Sequence, residues 1–330
     1  MLIVTYNGEA YMSALLNSLR SQTVPLECFE IIFFDNNSID ATVNIIERSG
    51  LQNLQLIQNS KNVGYARGNN MALARAKGEY IVLLNQDTVC HPEWLEGLLA
   101  DISDLDYAGA VSSNIIQVPD GTNYAPLLDV NTVNFCDVGL CGFGLYYSQQ
   151  QAKGYKTRIV SGCSCIIPRR IIDELGHLFD EELVMYNEDT DLSLRIRNLG
   201  YFLWVSGQSK AFHLHANPDI NPSSVLLLAR AIRNRIIVFY KNATLVELCV
   251  LLPLIFLCGP LKIFYTPLPP FRQAILFIPF ALFSLANMLL AVPLLPKYRE
   301  KRRNIMKHRK IGLFGILNGQ VRRPFAEGKA

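Results

Sequence analysis

The stretch Tyr80-Ile-Val-Leu-Leu-Asn-Gln-Asp-Thr-Val89 decides the fold. Tyr80–Leu84 is apolar without alternation, the pattern of a strand buried on both faces, and it stops abruptly at Asn85, Gln86 and Asp87. Upstream, residues 2–5 (LIVT) and Ile31–Phe34 repeat the theme, the second ending in Asp35, and a short third strand is expected at Leu54–Ile57. Between them Tyr11, Leu15 and Leu19 recur at helical spacing, and a helix is expected from Tyr65 to Lys77 with Gly78 as its C-cap. Strands alternating with helices, without hairpin turns, predict right-handed crossovers and a mainly parallel central sheet of the α/β class. Downstream, residues 117–157 lack periodicity and read as a long loop or small lid-like insertion; 189–199 reads as a helix and 201–205 as a strand.

Half of the 330 residues are hydrophobic and the mean hydropathy is +0.19, high for a soluble enzyme. The net charge of +3 hides a division. Residues 1–220 hold 14 Lys/Arg against 25 Asp/Glu, net −11, and residues 221–330 hold 17 against 3, net +14. An acidic body repels nucleic acid, and the basic residues of the tail lie between apolar runs, which favours an anionic membrane as partner. Leu248–Leu261 and Ala274–Leu295 are those runs; the second is long enough to span a bilayer at about 20 residues. Lys297–Arg303 and Lys307–Lys310 follow it and belong on the cytoplasmic side by the positive-inside rule. A hairpin with its outer loop near Thr266–Pro270, helices lying in the inner leaflet, and a buried soluble helical pair are the three arrangements open at this point. Eight scattered cysteines without a CxxC pair, and an opening Met1–Val4 without a basic n-region, place the chain in a reducing cytoplasmic setting. The expected division is a catalytic domain over 1–240 and a membrane-anchoring region over 241–330.

In open α/β sheets ligands bind at the carboxyl ends of the strands, where Thr5-Tyr6-Asn7, Asp35 and Asp87 all fall. A single such residue is most often a cap, but three at successive strand ends point to a site. No GxGxxG follows the first strand, so the site is not a dinucleotide fingerprint. Glu188, Asp189 and Asp191 form a second acidic cluster, which answers either a helix macrodipole or a reaction. Asp191 is also placed to pair with Arg195 at i+4. Asn69 and Asn70 are poor helix formers in mid-helix, which argues for ligand contact.

Val4–Asn7, Phe34–Ser38 with Asp40, Asn62–Asn70, Leu84–Thr88, Val160–Gly162, Asn187–Leu192 with Arg195, and His213 together resemble the family 2 glycosyltransferases, closest to a rhamnosyltransferase-like bacterial branch. The resemblance covers roughly residues 1–240. It implies a GT-A-like nucleotide-diphosphosugar transferase fold, to which the apolar runs of the tail add a helical, membrane-associated C-terminal segment. It also implies an inverting, metal-dependent transfer from a nucleotide-diphosphate sugar, such as dTDP-rhamnose, to a glycan hydroxyl in cell-surface polysaccharide synthesis, on a lipid-linked or polysaccharide acceptor. Asp87 and His213 would hold Mg²⁺ or Mn²⁺, although Asn85 stands where the family has a first acid. Thr5, Tyr6, Asn7, Asp35, Asn37, Gly64, Arg67, Asn69, Asn70, Asn85 and Gln86 would bind the nucleotide sugar. Ser161, Gly162 and Asp191 would face the acceptor; Asp189 would be the base, with Glu188 orienting acceptor or base. His215 shares the strand face of His213. Two rivals stand beside this reading: a polyprenyl-phosphate glycosyltransferase, and a non-catalytic nucleotide-sugar-binding subunit.

Overall fold

The computed structural model describes residues 1–118, 132–138, 144–150, 153–214, 222–258, 270–312 and 315. Its first half alternates as expected: β1 (Leu2–Thr5), α1 (Glu9–Arg20), β2 (Ile31–Asp35), α2 (Thr42–Glu47), β3 (Leu54–Gln58), α3 (Tyr65–Leu73) and β4 (Tyr80–Leu84). β1 pairs in parallel with β2 on one side and β4 on the other, and β3 lies outside β2. The strand order therefore reverses between β1 and β4, and such a switch point opens a crevice at the strands' carboxyl ends.

Beyond β4 the sheet becomes mixed. β5 (Thr88–Cys90), α4 (Trp94–Asp104), β6 (Ala108–Gln117), β9 (Gly154–Thr157), β10 (Ser164–Pro168) and β11 (Phe202–His213) complete it in the order β3-β2-β1-β4-β10-β6-β11-β5, with β9 also on β11. β10 runs antiparallel between β4 and β6, with Ser164 opposite Leu84. Within the segment expected to be a loop or insertion, β7 (Thr132–Val138) and β8 (Gly144–Gln150) pair as an antiparallel two-stranded sheet. Two other expectations are corrected. α3 ends at Leu73, four residues early, because Glu30 accepts from the backbone N–H groups of Lys77 and Gly78 (2.6 and 3.0 Å) and pulls that segment away. The strand expected at 201–205 continues to His213 past an irregularity between Val205 and Lys210.

One face of the sheet packs Leu15, Leu19, Trp94 and Leu98 of α1 and α4, and the other packs Ala66 and Ala72 of α3. Ile171 of α5 (Arg169–Leu175) and Ile196 of α6 (Glu188–Asn198) share that second face. A third cluster unites Leu183 and Leu194 with Ile237 and Phe239 of α7 (Pro222–Asn242), Leu251 and Ile255 of α8 (Leu245–Cys258), and Met288 and Ala291 of α9 (Pro270–Ala291). The tail is thus welded to the catalytic layer on one face. Its other face is bare: Leu257, Phe271, Ile275, Ile278, Leu282 and Leu289 are all exposed. The expected outer loop at 266–269 lies outside the described residues.

A buried charge network crosses this weld. The Lys241 ammonium, 1% exposed, lies 2.5 Å from Asp180 and 2.9 Å from Asp191. Asp191 also takes Arg195 at 3.0 Å, and Asp180 takes Lys301 of α10 (Arg299–His308) at 2.7 Å. Lys241 is the centre of the network, since its removal leaves two buried carboxylates with one cation each. We expect Lys241→Met to lower unfolding free energy by about 3 kcal/mol in urea titrations, near the low end for breaking a buried ionic set. Exposed Lys310→Ala should stay within about 0.5 kcal/mol.

Candidate active site

The β1–β4 switch point carries a cavity of about 210 Å³ lined by Val4, Thr5, Tyr6, Asn36, Asn62, Gly64, Tyr65, Asn85, Gln86, Asp87 and Met185. Its floor is built from strand ends. The Thr5 hydroxyl donates to Asp35 (3.0 Å), and Ser38 donates to the same carboxylate through its backbone N–H (2.9 Å) and hydroxyl (2.5 Å). Asp35 is 2% exposed and does not line the cavity; it holds the strand-end turn together. Asn7 and Asn37 sit in left-handed backbone at φ 48° and 68°, which Asn tolerates. The Asn7 amide oxygen accepts from the Ile39 N–H. Gln86 exchanges two hydrogen bonds with the Tyr6 backbone (2.9 and 3.1 Å), tying the ends of β1 and β4 together.

Three further expectations change. Asn69 is 1% exposed and donates to the Tyr65 carbonyl four residues back, while Asn70 clips the Phe179 backbone at 2.9 and 3.0 Å. The helix-propensity cost of Asn70 is offset by tertiary hydrogen bonds and that of Asn69 by a bond within its own helix, and neither lines the cavity. Arg67 is exposed and lies 3.5 Å from Glu181, a surface pair. Asp191 is fully buried on Arg195 and Lys241, so its i+4 pairing prevails over a place on the acceptor side. Asn36, Asn62, Tyr65 and Met185 line the cavity without having been singled out in the sequence. Asn36 and Asn62 stand inside the motifs quoted above, whereas Met185 carries no sequence signal.

Asp87 meets His213 across β5 and β11: Thr88 pairs with His213, and His213 Nε2 lies 3.2 Å from Asp87 Oδ2. Gln117 holds the other ring nitrogen at 3.0 Å. Asp87 Oδ1 and Asn85 Oδ1 are buried side-chain oxygens without a protein partner. His215 lies outside the described residues. Among those residues no group of three or more His, Cys, Asp or Glu converges. The unpartnered Asp87 oxygen, with Asn85 and His213 beside it, is an oxygen-and-imidazole set that could hold a hard divalent cation.

The second acidic cluster enters from α6. Asp189, half-buried, takes the Thr190 N–H at 2.7 Å, and the Gly162 N–H stands 3.5 Å away. A Cβ on Gly162 would stand 3.6 Å from both the Asp189 side chain and the Tyr65 hydroxyl, which itself donates to the Gly162 carbonyl at 2.7 Å. Ser161 accepts the Cys163 N–H, and Cys163 joins the two acidic groups. Burial, and then the charges of Asp87 and Asp189, push its thiol up to about 12. Asp87 and Asp189 border the same turn: the Asn85 N–H donates to the Cys163 carbonyl two residues before Asp87, and the Gly162 N–H faces Asp189, although Glu188 and Asp189 do not line the cavity. Burial, then the neighbouring Asp189 charge, raises the Glu188 carboxyl to about 8, and burial raises Asp189 as well.

Residues 1–176 match the family description "Glycosyl transferase family 2". The chain belongs to glycosyl transferase family 2. It is a glycosyltransferase, which removes the non-catalytic rival. A curated member of the family, poly(ribitol-phosphate) beta-N-acetylglucosaminyltransferase TarS of Staphylococcus aureus (strain Mu50 / ATCC 700699), is 35% identical over 108 residues, 32% of this chain and 18% of that one. The matched stretch is a fifth or less of the first curated relatives. The crystal structure of S. aureus TarS 1-349 superposes with TM-score 0.56 at 21% identity, covering 99% of this chain and 94% of that one. Mannosyltransferase PcManGT from Pyrobaculum calidifontis, in complex with GDP-Man and Mn2+, gives 0.55 at 18%, covering 93% and 82%. At these identities the likeness establishes the shared GT-A-like fold.

A raised carboxyl pKa has a definite stability sign. The folded state binds the Glu188 proton more tightly than the unfolded chain, so that stabilisation is present below about pH 4.5 and fades as pH rises through about 8. Glu188→Gln should therefore raise the melting temperature relative to the parent by at least ~2 °C more at pH 8.5 than at pH 5. Differential scanning fluorimetry across that range measures the difference.

Proposed function

We propose that this enzyme transfers a sugar, with inversion, from a nucleotide-diphosphate donor to a hydroxyl of a cell-surface glycan carried near a membrane. The observation that carries the reading is that Asp87, with His213 beside it, and Asp189 approach the same Ser161–Cys163 turn next to the strand-end cavity. The nucleotide and its ribose fill the cavity at the ends of β1 and β4, against Thr5, Tyr6, Asn36 and Asn85. Asp87 and His213 would hold Mg²⁺ or Mn²⁺, which when bound neutralises charge on the leaving diphosphate. Asp189 takes the proton of the acceptor hydroxyl as its oxygen attacks the anomeric carbon. Glu188 retains a proton near neutral pH, which keeps the pair at one negative charge and leaves Asp189 free to accept. Ser161 and Gly162 border the acceptor side. The structure of S. aureus TarS 1-349 in complex with UDP supports a uridine donor as a first probe, alongside dTDP-rhamnose.

Asp189→Asn should lower kcat by about 10²–10⁴-fold in a coupled nucleotide-release assay over a panel of donors and acceptors. Asp87→Ala should abolish stimulation by Mn²⁺. Near-normal turnover by Asp189→Asn would move the reading to a phosphate acceptor, which needs little base catalysis.

The tail supplies the membrane contact. From residue 277 to 308 the chain includes a helix long and apolar enough to cross a bilayer, with only 17% of its most apolar stretch buried. Ile275, Ile278, Leu282 and Leu289 form one exposed stripe at spacings of three, four and seven, while Ser284, Met288 and Ala291 face the protein. Exposed Arg299, Arg303 and Lys307 follow on α10 and suit an anionic surface. We place this face on the cytoplasmic leaflet. Because α7–α9 share a core with the catalytic layer, the informative variant is Ile278→Ser/Leu282→Ser/Leu289→Ser, which should lose sedimentation with phosphatidylglycerol vesicles and keep soluble donor hydrolysis.

A further inference from the structure

The segment before Glu188 has unusual backbone. Val184, Tyr186 and Asn187 lie at φ 63°, 67° and 65°, in the left-handed region that a β-branched valine strongly disfavours. Such conformations persist only where the surroundings over-determine them. The structure identifies what does so here. Asn234 of α7, with no exposed surface, directs its amide nitrogen at three carbonyl oxygens, those of Leu183 (2.8 Å), Met185 (3.1 Å) and Tyr186 (3.0 Å). Its amide oxygen accepts from Arg233, which fixes which end faces the loop. One turn earlier the Ala231 carbonyl accepts from the Asn187 side chain at 3.0 Å.

What the loop carries makes this grip functional. The Val184 carbonyl accepts the Ala66 N–H at 3.2 Å at the start of α3. A Cβ on Gly64 would come within 2.7 Å of Val184, so the loop presses on the cavity wall. Met185 lines the cavity, and α6 begins with Glu188 and Asp189 immediately after.

We propose that Asn234 is a positioning residue: by gathering three carbonyls of the 183–186 turn it sets Met185 and the Glu188–Asp189 pair against the donor cleft, without touching substrate itself. The inference rests on the transfer reading above for its catalytic consequence, and on the geometry alone for the grip. An amide brings two N–H donors to this spot; Asp would turn an acceptor toward three acceptors, and Ala would remove this donor from the Met185 and Tyr186 carbonyls while the Leu183 carbonyl keeps the Met185 N–H.

The test compares Asn234→Ala and Asn234→Asp with Asn242→Ala, which removes buried bonds from the same helix to Asp191 and the Val238 carbonyl but leaves the loop alone. Hydrogen exchange of the full chain should rise at least tenfold at amides 184–190 in both Asn234 variants and remain at the parental rate there in Asn242→Ala. With UDP-GlcNAc, dTDP-rhamnose and Mn²⁺, the Asn234 variants should lose at least thirtyfold in kcat and change the acidic limb of its pH profile. UDP affinity by calorimetry should move less than threefold. Unchanged exchange at 184–190 in Asn234→Ala overturns the grip, and equal kcat losses in Asn242→Ala at matched melting temperature overturn its catalytic role. A parent protein that turns over no donor, with exchange behaving as described, would count against the transfer reading and leave the grip supported.

Discussion

Everything in this molecule depends on one strand pairing. β10 enters antiparallel beside β4 with Ser164 opposite Leu84, and the Asn85 N–H donates to the Cys163 carbonyl at 2.8 Å. That register carries the Ser161–Cys163 turn to the carboxyl end of β4, where Asp87 stands. Asp189 meets the same turn through Gly162. A shift of one residue would invert every side chain of β10 and turn Cys165 and Ile167 away from the layer they now fill. Residues separated by a hundred positions are brought to one crevice by hydrogen bonds in a sheet, while the charges themselves resist the arrangement.

That resistance is visible in the carboxyls. Glu188 and Asp189 are held where water is scarce and each opposes the other's ionisation, a cost that a purely structural helix start has no reason to carry. Asp191, two residues from Asp189, shows the alternative outcome: more deeply buried, it is matched by Lys241 and Arg195, and its carboxyl is held below the usual range. Neighbouring acids of one motif thus divide into an unmatched pair at the cleft and a matched one in the weld between catalytic layer and tail. The same weld brings α7 against the loop that precedes α6, so a helix of the tail also bears on that loop.

Much of this was legible in the sequence because its signals are local. Unbroken apolar runs located β1, β2 and β4, and the polar residues that end them marked the crevice. Asp87, His213 and Asp189, singled out in the sequence, each sit at or beside the end of a regular element. Legibility failed where a partner distant in the chain determines the outcome. Asn70 looks misplaced in a helix until the Phe179 backbone supplies its bonds. Gly78 looks like a cap until Glu30 takes the preceding turn. Met185 and Asn234 carry no motif; both matter through the left-handed turn that links them, and φ angles cannot be read from composition. The mainly parallel sheet expected holds from β3 to β4 and again between β6 and β11, and the antiparallel β10 that separates them is announced by nothing local.

The most direct measurement places the cation and the base in one frame. With carboxyl-labelled protein, UDP and substoichiometric Mn²⁺, paramagnetic broadening in ¹³C NMR should be strongest at Asp87, with the His213 ring affected likewise, next at Asp189 and Glu188, and absent at Asp40 on the outer turn. Broadening centred on another part of the molecule, or a sharp Asp189 resonance beside a broadened Asp87, would contradict a single shared cleft.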